Sequence, residues 1–443
     1  MARVGETSRF DYLLFVAMIA SCVIGLSILV SYMWRTVVAG SYLFIWKQMI
    51  AFSIGLTGAL LLAYVDYRHL KKYAPIIYVV FMTLLFLVLI FGKVARGARS
   101  WFSIGPFSFQ PSEFMALAYI IFLAWYIELQ QKWEGIKQFA VSGLITLLPM
   151  GLILLQPDFG TSLVFIAIFL GMVYLGGAQL GYILSLVIAG AIASFISLFL
   201  TFAQLKYTVP GSHRLGNAIA ATFSSNNNII TFLFVVFLVL VLCYFAIRKF
   251  YRNFSFANVV YAFVPILLGV MGATGIQGFL KGYQRQRLIA FLEPTLDPLG
   301  VGYNIIQSKI AIGSGKFLGK GILSGTQSQL GFLPEQHTDF IFAVIGEELG
   351  FVGAGLVLFL LCLIIWRGIV ISTQARDTFG GLLAAGIVCM FAFHAVINIG
   401  MVMGIMPVVG VPLPLISYGG SSLIAHMLAI GVLLSVSYRR YMY

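Results

Sequence analysis

Charge is what this chain has least of. Asp and Glu supply only 14 of 443 residues, and all charged residues together make up 9%, against roughly 25% in a soluble domain. With 61% apolar residues and a mean hydropathy of +1.01, a water-soluble globular protein is excluded, and so is a disordered one. Cysteine is also scarce. Cys22, Cys243, Cys362 and Cys389 all fall in apolar stretches and show neither metal-ligand nor disulfide spacing, so they read as small packing residues.

What is present is a series of long apolar runs. A membrane-spanning helix needs about 20 largely apolar residues, and twelve stretches qualify: 11–33, 43–65, 74–92, 112–129, 138–155, 160–177, 180–203, 229–247, 256–280, 340–366, 380–403 and 420–437. The expected fold class is therefore all-α, a polytopic membrane helix bundle of about 12 transmembrane helices forming one integral membrane domain. The first run is too long for a signal-peptide core and reads as a retained anchor. Lys and Arg outnumber the acids 27 to 14, a net charge of +13. With the N-terminus inside, 14 basic residues fall in cytoplasmic segments and 13 outside, but six of the latter lie between Lys281 and Lys320 in one long loop. Loops of that length escape the positive-inside rule. Setting it aside leaves 14 against 7 and places both termini in the cytoplasm.

Two expected external loops are long, residues 93–111 and 281–339. The second is too rich in Ile, Leu, Tyr and Gly to be disordered. Its first part alternates Arg285 and Arg287 along YQRQRL. Forked guanidiniums suit a diphosphate, although Arg at a membrane rim also binds lipid headgroups. Next comes an amphipathic segment with Ile305, Ile306 and Ile310 opposite Gln307 and Lys309. Gly313, Gly315, Gly319 and Gly321 then surround Lys316 and Lys320. The Walker spacing fails, because Gly321 follows Lys320 where Ser or Thr is needed. The reading is a flexible, basic, anion-accepting loop.

The loop closes on LPEQHTDFIFAVIGEELG, residues 333–350, which carries Glu335, His337, Asp339, Glu347 and Glu348. An ionised carboxylate in hydrocarbon costs at least about 2.5–3.5 kcal/mol, so acids there need partners or a task. Asp339, at the mouth of a helix beside excess positive charge, suits a general base or a cation holder. Its plain alternative is a helix cap. Glu347 and Glu348 lie two helical turns deeper and suit structural pairing. Asp158 is placed to cap the helix beginning near Gly160. Pro407, Pro412, Pro414, Ser417, Gly419 and Gly420 form a broken segment, which is tolerated at membrane depth only when packed in protein or lining a cavity.

Several motifs, in order, resemble the SEDS family: QPSE at 110–113, QPDFGTS at 156–162, YQRQR at 283–287, DPLGVGYNIIQSKIAIGSG at 297–315, GTQSQLGFLPEQHTDF at 325–340 and GVPLPLISYGGSS at 410–422. GTQSQ and the unbroken IIQSKIAIGSG resemble its elongation branch more than its division branch. The resemblance implies a peptidoglycan glycosyltransferase of cell elongation and rod shape, acting on the outer face of the cytoplasmic (inner) membrane. It would polymerise lipid II, the undecaprenyl-diphosphate-linked disaccharide pentapeptide, into β-1,4 strands by an inverting displacement. By motif the essential acid is Asp339, with Arg285, Arg287, Lys309, Lys316, Lys320, His337 and Trp101 as substrate-binding candidates. Glu113, Asp158, Glu347, Glu348 and Ser417 are structural or supporting. The implied partners are a class B penicillin-binding protein, the elongation machinery and membrane lipids; no nucleic acid is expected. The sequence establishes no cofactor, and a divalent cation could share the stabilisation of the leaving diphosphate.

Two departures from the family pattern stand out. The lysine expected three residues after Glu113 is Ala116 here, so the familiar ion pair is missing. The family core has ten spans, so residues 180–255 read as containing an inserted helical hairpin. Readings from other classes are a lipid II flippase or transporter and a noncatalytic scaffold. A flippase needs a polar path through the bilayer midplane, whereas charge here concentrates in one external loop.

Overall fold

The computed structural model describes residues 10–37, 42–95, 98–105, 107–130, 135–206, 226–251, 255–279, 287–288, 290–294, 300–333 and 335–440. Among them, ten helices are long and apolar enough to cross a membrane, and two shorter apolar helices lie at Phe159–Leu175 and Val259–Gly275. Together they occupy all twelve expected runs.

The chain divides into two compact units, Met1–Gly177 with Asn304–Tyr443, and Ala178–Tyr303. The first begins with α1 (Tyr12–Val37), α2 (Tyr42–Tyr64) and α3 (Arg68–Phe91). Strands β1 (Lys93–Ala95), β2 (Ala98–Ile104) and β3 (Phe107–Phe109) follow, then α4 (Pro111–Leu129), α5 (Ile136–Leu155) and α6 (Phe159–Leu175). The second unit holds α7 (Leu180–Lys206), α8 (Asn226–Phe250) and α9 (Ala257–Phe279). The chain continues through α10 (Val301–Ser314), α11 (Thr326–Gln329), α12 (Ile341–Glu348), α13 (Gly350–Thr373), α14 (Thr378–Val402) and α15 (Gly420–Arg439).

Residues 93–109, expected only as a loop, form an antiparallel β1-β2-β3 ribbon. Trp101 pairs with Lys93, and Phe102 with Phe109. The aromatics Trp101, Phe102, Phe107 and Phe109 favour strands, and Gly105 takes a positive φ (+60°) at the end of β2.

In the first unit, α4, α14 and α15 are the most buried spans. Close approach of small residues draws α2 and α15 together: a Cβ on Gly431 would sit 2.6 Å from Ala59 O, and one on Gly55 2.7 Å from Met427 Sδ. One end of this bundle is stitched by charge. Arg367 Nη2 donates to Asp11 Oδ2 at 2.6 Å. Lys71 meets Glu128 at 2.7 Å and Arg439 meets Asp66 at 3.6 Å. Tyr67 Oη donates to Asp377 Oδ2 at 2.8 Å. These pairs join the start of α1, the α2–α3 and α13–α14 turns and the ends of α4 and α15, so both ends of the chain's helical path lie at the same face. The candidate site occupies the opposite face.

The expected continuous span 340–366 is broken in two. Gly350 adopts φ +65° between α12 and α13, and the carbonyls of Glu347 and Glu348 at the end of α12 accept the amides of Lys320 (3.0 Å) and Gly321 (2.9 Å). Orphan helix carbonyls are thus satisfied by a loop instead of by the next turn.

Candidate functional site

The HTD segment is held by its backbone. Tyr418 N donates to His337 O at 2.9 Å, Ser417 Oγ to Thr338 O at 2.7 Å, and Asn398 Nδ2 to Asp339 O at 3.0 Å. Three consecutive carbonyls are therefore gripped by α14 and by the broken segment between α14 and α15. Ser417 Oγ also receives Leu413 N at 2.8 Å, and Gln48 Nε2 on α2 donates to Ser417 O at 3.4 Å, which anchors the clasp to the bundle. The His337 ring lies parallel to Tyr32 on α1, 5.7 Å centroid to centroid and 4° between planes, with Tyr418 5.6 Å away on another side. Asp339 itself is half-buried. Thr338 and Asp339 both turn back on Glu335 O at 3.2 Å, so the acid sits in a tight turn just before α12.

Lys309 reaches the same end of α14. Ser308 Oγ donates to Val402 O at 2.8 Å, and the Lys309 side chain lies across Gly404, where a Cβ would come 2.5 Å from its Cε. Val402 is one helical turn beyond Asn398, a rise of about 6 Å. Lys309 and Lys316 are exposed cations.

The glycine-rich stretch differs from the flexible anion loop expected. A Cβ on Gly315 would overlap Gly346 O, and one on Gly319 would overlap Glu348 O, so these glycines permit backbone-to-backbone packing on the α12–α13 break. The amides of Lys320 and Gly321 are already used on Glu347 O and Glu348 O, while Phe351 N donates to Lys316 O at 3.0 Å. The stretch is a strap fastened to the break, with Lys316 as its exposed charge.

Lys320 is likewise engaged. Its Nζ donates to Glu347 Oε1 at 2.9 Å and to Thr326 Oγ1 at 2.7 Å. Glu347 also accepts Gln327 N at 2.9 Å and Ser328 N at 3.0 Å, so this fully buried acid caps α11 and ties it to α12. Glu348 accepts Ser31 Oγ at 2.8 Å, and that hydroxyl takes Leu323 N at 2.9 Å. Both glutamates fasten loop to helix.

Glu113 and Asp158 come together at the starts of α4 and α6. Asp158 caps α6, accepting Thr161 N at 3.2 Å, and takes Gln110 Nε2 at 3.1 Å. Glu113, 8% exposed, is hydrogen-bonded by Ser422 and faces the Asp158 carboxylate; among the described residues it makes no ion pair. The position expected to hold a lysine is Ala116, and the hydroxyl beside Glu113 comes from Ser422 of α15. Trp101 is half-buried in β2, and the adjacent Ser100 Oγ ties the ribbon to Gln156 O at 3.2 Å.

Arg287 lies half-buried in the second unit, and Arg285 lies outside the described residues. Among the described residues no three His, Cys, Asp or Glu side chains converge as metal ligands, so no step is assigned to a metal. The clasp residues Asn398, Tyr418 and Tyr32 were not expected. Asn398 carried the one available signal, an amide near the end of a largely apolar span, where polar side chains join helices.

The family model FtsW/RodA/SpoVE, described as a cell cycle protein, matches residues 11–218 and 217–442. The chain belongs to this family. Its relatives include peptidoglycan glycosyltransferase RodA of Treponema pallidum, 39% identical over 99% of this chain and 100% of the relative. Peptidoglycan glycosyltransferase MrdB of Escherichia coli is 36% identical over 88% of this chain and 84% of the relative. A solved chain from a study of polymerisation and crosslinking by a peptidoglycan synthase complex superimposes with TM-score 0.67 at 28% identity, over 98% of this chain and 99% of that one. As in that family, the chain is a multi-pass membrane protein.

Proposed function

We propose that this family member is a peptidoglycan glycosyltransferase of cell elongation that polymerises lipid II, with Asp339 as its general base. The observation that carries the reading is the clasp. Three backbone carbonyls around Asp339 are immobilised by donors from α14 and the broken segment, which is the support a positioned base needs. The face bearing Asp339 is opposite the charge-stitched face. With the basic turns in the cytoplasm, Asp339 works on the outer side of the inner membrane.

Asp339 takes the proton from the acceptor sugar 4-hydroxyl. The oxygen attacks C1 of the donor sugar, the bond from C1 to the diphosphate oxygen breaks, and its electron pair leaves with the undecaprenyl diphosphate. The leaving group is already a stabilised anion, so the site needs cations more than a protonated acid. Lys309 and Lys316 supply them, while His337 and Trp101 contact sugar. Lys320 acts through Glu347, holding the strap that presents Lys316. Residues 180–255 contain the inserted hairpin and leave this chemistry unchanged. A class B penicillin-binding protein is the crosslinking partner, a reading supported by the synthase complex to which the fold is similar.

The test is polymerisation of lipid II by the purified protein with its partner, resolved on a gel, alongside a liposome assay for movement of labelled lipid. Polymer from the wild type supports the enzyme. Translocation without polymer makes the protein a transporter instead.

A further inference from the structure

Asn398 is fully buried, one turn before the end of α14. Its Nδ2 donates to Asp339 O at 3.0 Å and to Val411 O at 2.7 Å. Both partners are carbonyl oxygens, which only accept, so the NH2 end of the amide must face them and its orientation is fixed by chemistry. The other end is then stranded: Asn398 Oδ1 is buried with no hydrogen-bond partner among the described residues. A leucine in this place would leave two carbonyls, Asp339 O and Val411 O, without their donor. The amide leaves its own acceptor stranded while its two protons serve these two carbonyls, which marks the NH2 end as the one with a task.

We propose that Asn398 is a positioning residue for Asp339, resting on the reading of that aspartate as the base. The other two donors of the clasp, Ser417 Oγ and Tyr418 N, come from the end of the broken segment and hold Thr338 and His337. Asn398 comes from a regular helix and holds the residue that bears the carboxylate. At the same time it holds Val411, in the middle of the broken segment. One side chain thus joins the base, the segment and the rigid span that references both. A backbone shift at Asp339 moves its carboxylate by a similar distance, and misplacement of about 1 Å costs roughly 100-fold in rate.

The experiment compares wild type, Asn398→Leu and Asp339→Ala, each purified with its partner and assayed over a lipid II concentration series, with thermal unfolding followed in the same detergent. Asn398→Leu keeps the branching at Cγ, removes both donors and leaves Asp339 O and Val411 O unpaired. The expected result is a fall in kcat of about 10- to 100-fold with KM near wild type, alongside a lower unfolding temperature from the two unpaired carbonyls. An unchanged kcat in Asn398→Leu, beside an inactive Asp339→Ala, overturns the positioning role and leaves the base standing. A raised KM at unchanged kcat overturns it as well. Full activity of Asp339→Ala removes the base reading and this inference with it. Should Asn398→Leu not purify as a folded protein, Asn398→Ser is read by the same split, since its shorter hydroxyl cannot serve both carbonyls.

Discussion

At the scale of single residues, the acids of the 333–350 segment divide by what holds them. Asp339 is held through its backbone, whereas Glu347 is held through its carboxylate, which accepts Lys320 Nζ, Thr326 Oγ1 and two backbone amides. Replacing Glu347 by Gln removes a charged acceptor from donors that cannot all find another. With charged hydrogen bonds worth about 1.5–3 kcal/mol each, and Lys320 still about a quarter exposed at 27%, Glu347→Gln should destabilise the protein by roughly 2–3 kcal/mol. Thermal unfolding in detergent should show a clear drop, and limited proteolysis should cut the strap at 315–325 faster. A variant as stable and as resistant as wild type would remove the fastening role. The sequence located these acids and set Glu347 and Glu348 apart as structural, but it could not say what they hold. A carboxylate that holds a loop and one that takes a proton look alike until the donors around them are known, and donors such as the amides of Gln327 and Ser328 carry no side-chain signature.

At the scale of elements, the break between α12 and α13 governs where Asp339 sits. Gly350 has φ +65°, and a Cβ there would overlap Gly319 N, so Gly350→Ala meets left-handed strain of about 1–2 kcal/mol and a steric clash with the strap together. The expected outcome is a lower unfolding temperature and a loss of polymer yield exceeding that of Gly355→Ala, which lies on α13 with open space beside it. Equal behaviour of the two variants would show that the break does not position the site. All twelve helices were legible because apolar length is a property of composition. The break was not: residues 340–366 are apolar throughout apart from the glutamates, and the carbonyls lost at the break are satisfied by loop amides. The ribbon at 93–109 was missed for a related reason: β1 and β3 have three residues each, and the seven of β2, ARSWFSI, show no regular polar-apolar alternation.

At the scale of the whole molecule, the ion pairs of Asp11, Asp66, Glu128 and Asp377 define one face and the clasp around Asp339 the other. The account places the first face in the cytoplasm and the second outside. Cysteines introduced at Ser103 in β2 and at Thr373 at the end of α13 test this in intact cells. A membrane-impermeant maleimide should label Ser103→Cys directly and Thr373→Cys only after permeabilisation; the reverse pattern would invert the protein. The central claim is that one carboxylate, Asp339, performs the chemistry on that outer face, and the most direct measurement is glycan-strand formation from lipid II by wild type and Asp339→Ala, each with its partner. The account predicts long polymer from the wild type and none from Asp339→Ala, at equal thermal stability and equal partner binding. Polymer of the same length and amount from Asp339→Ala would contradict it.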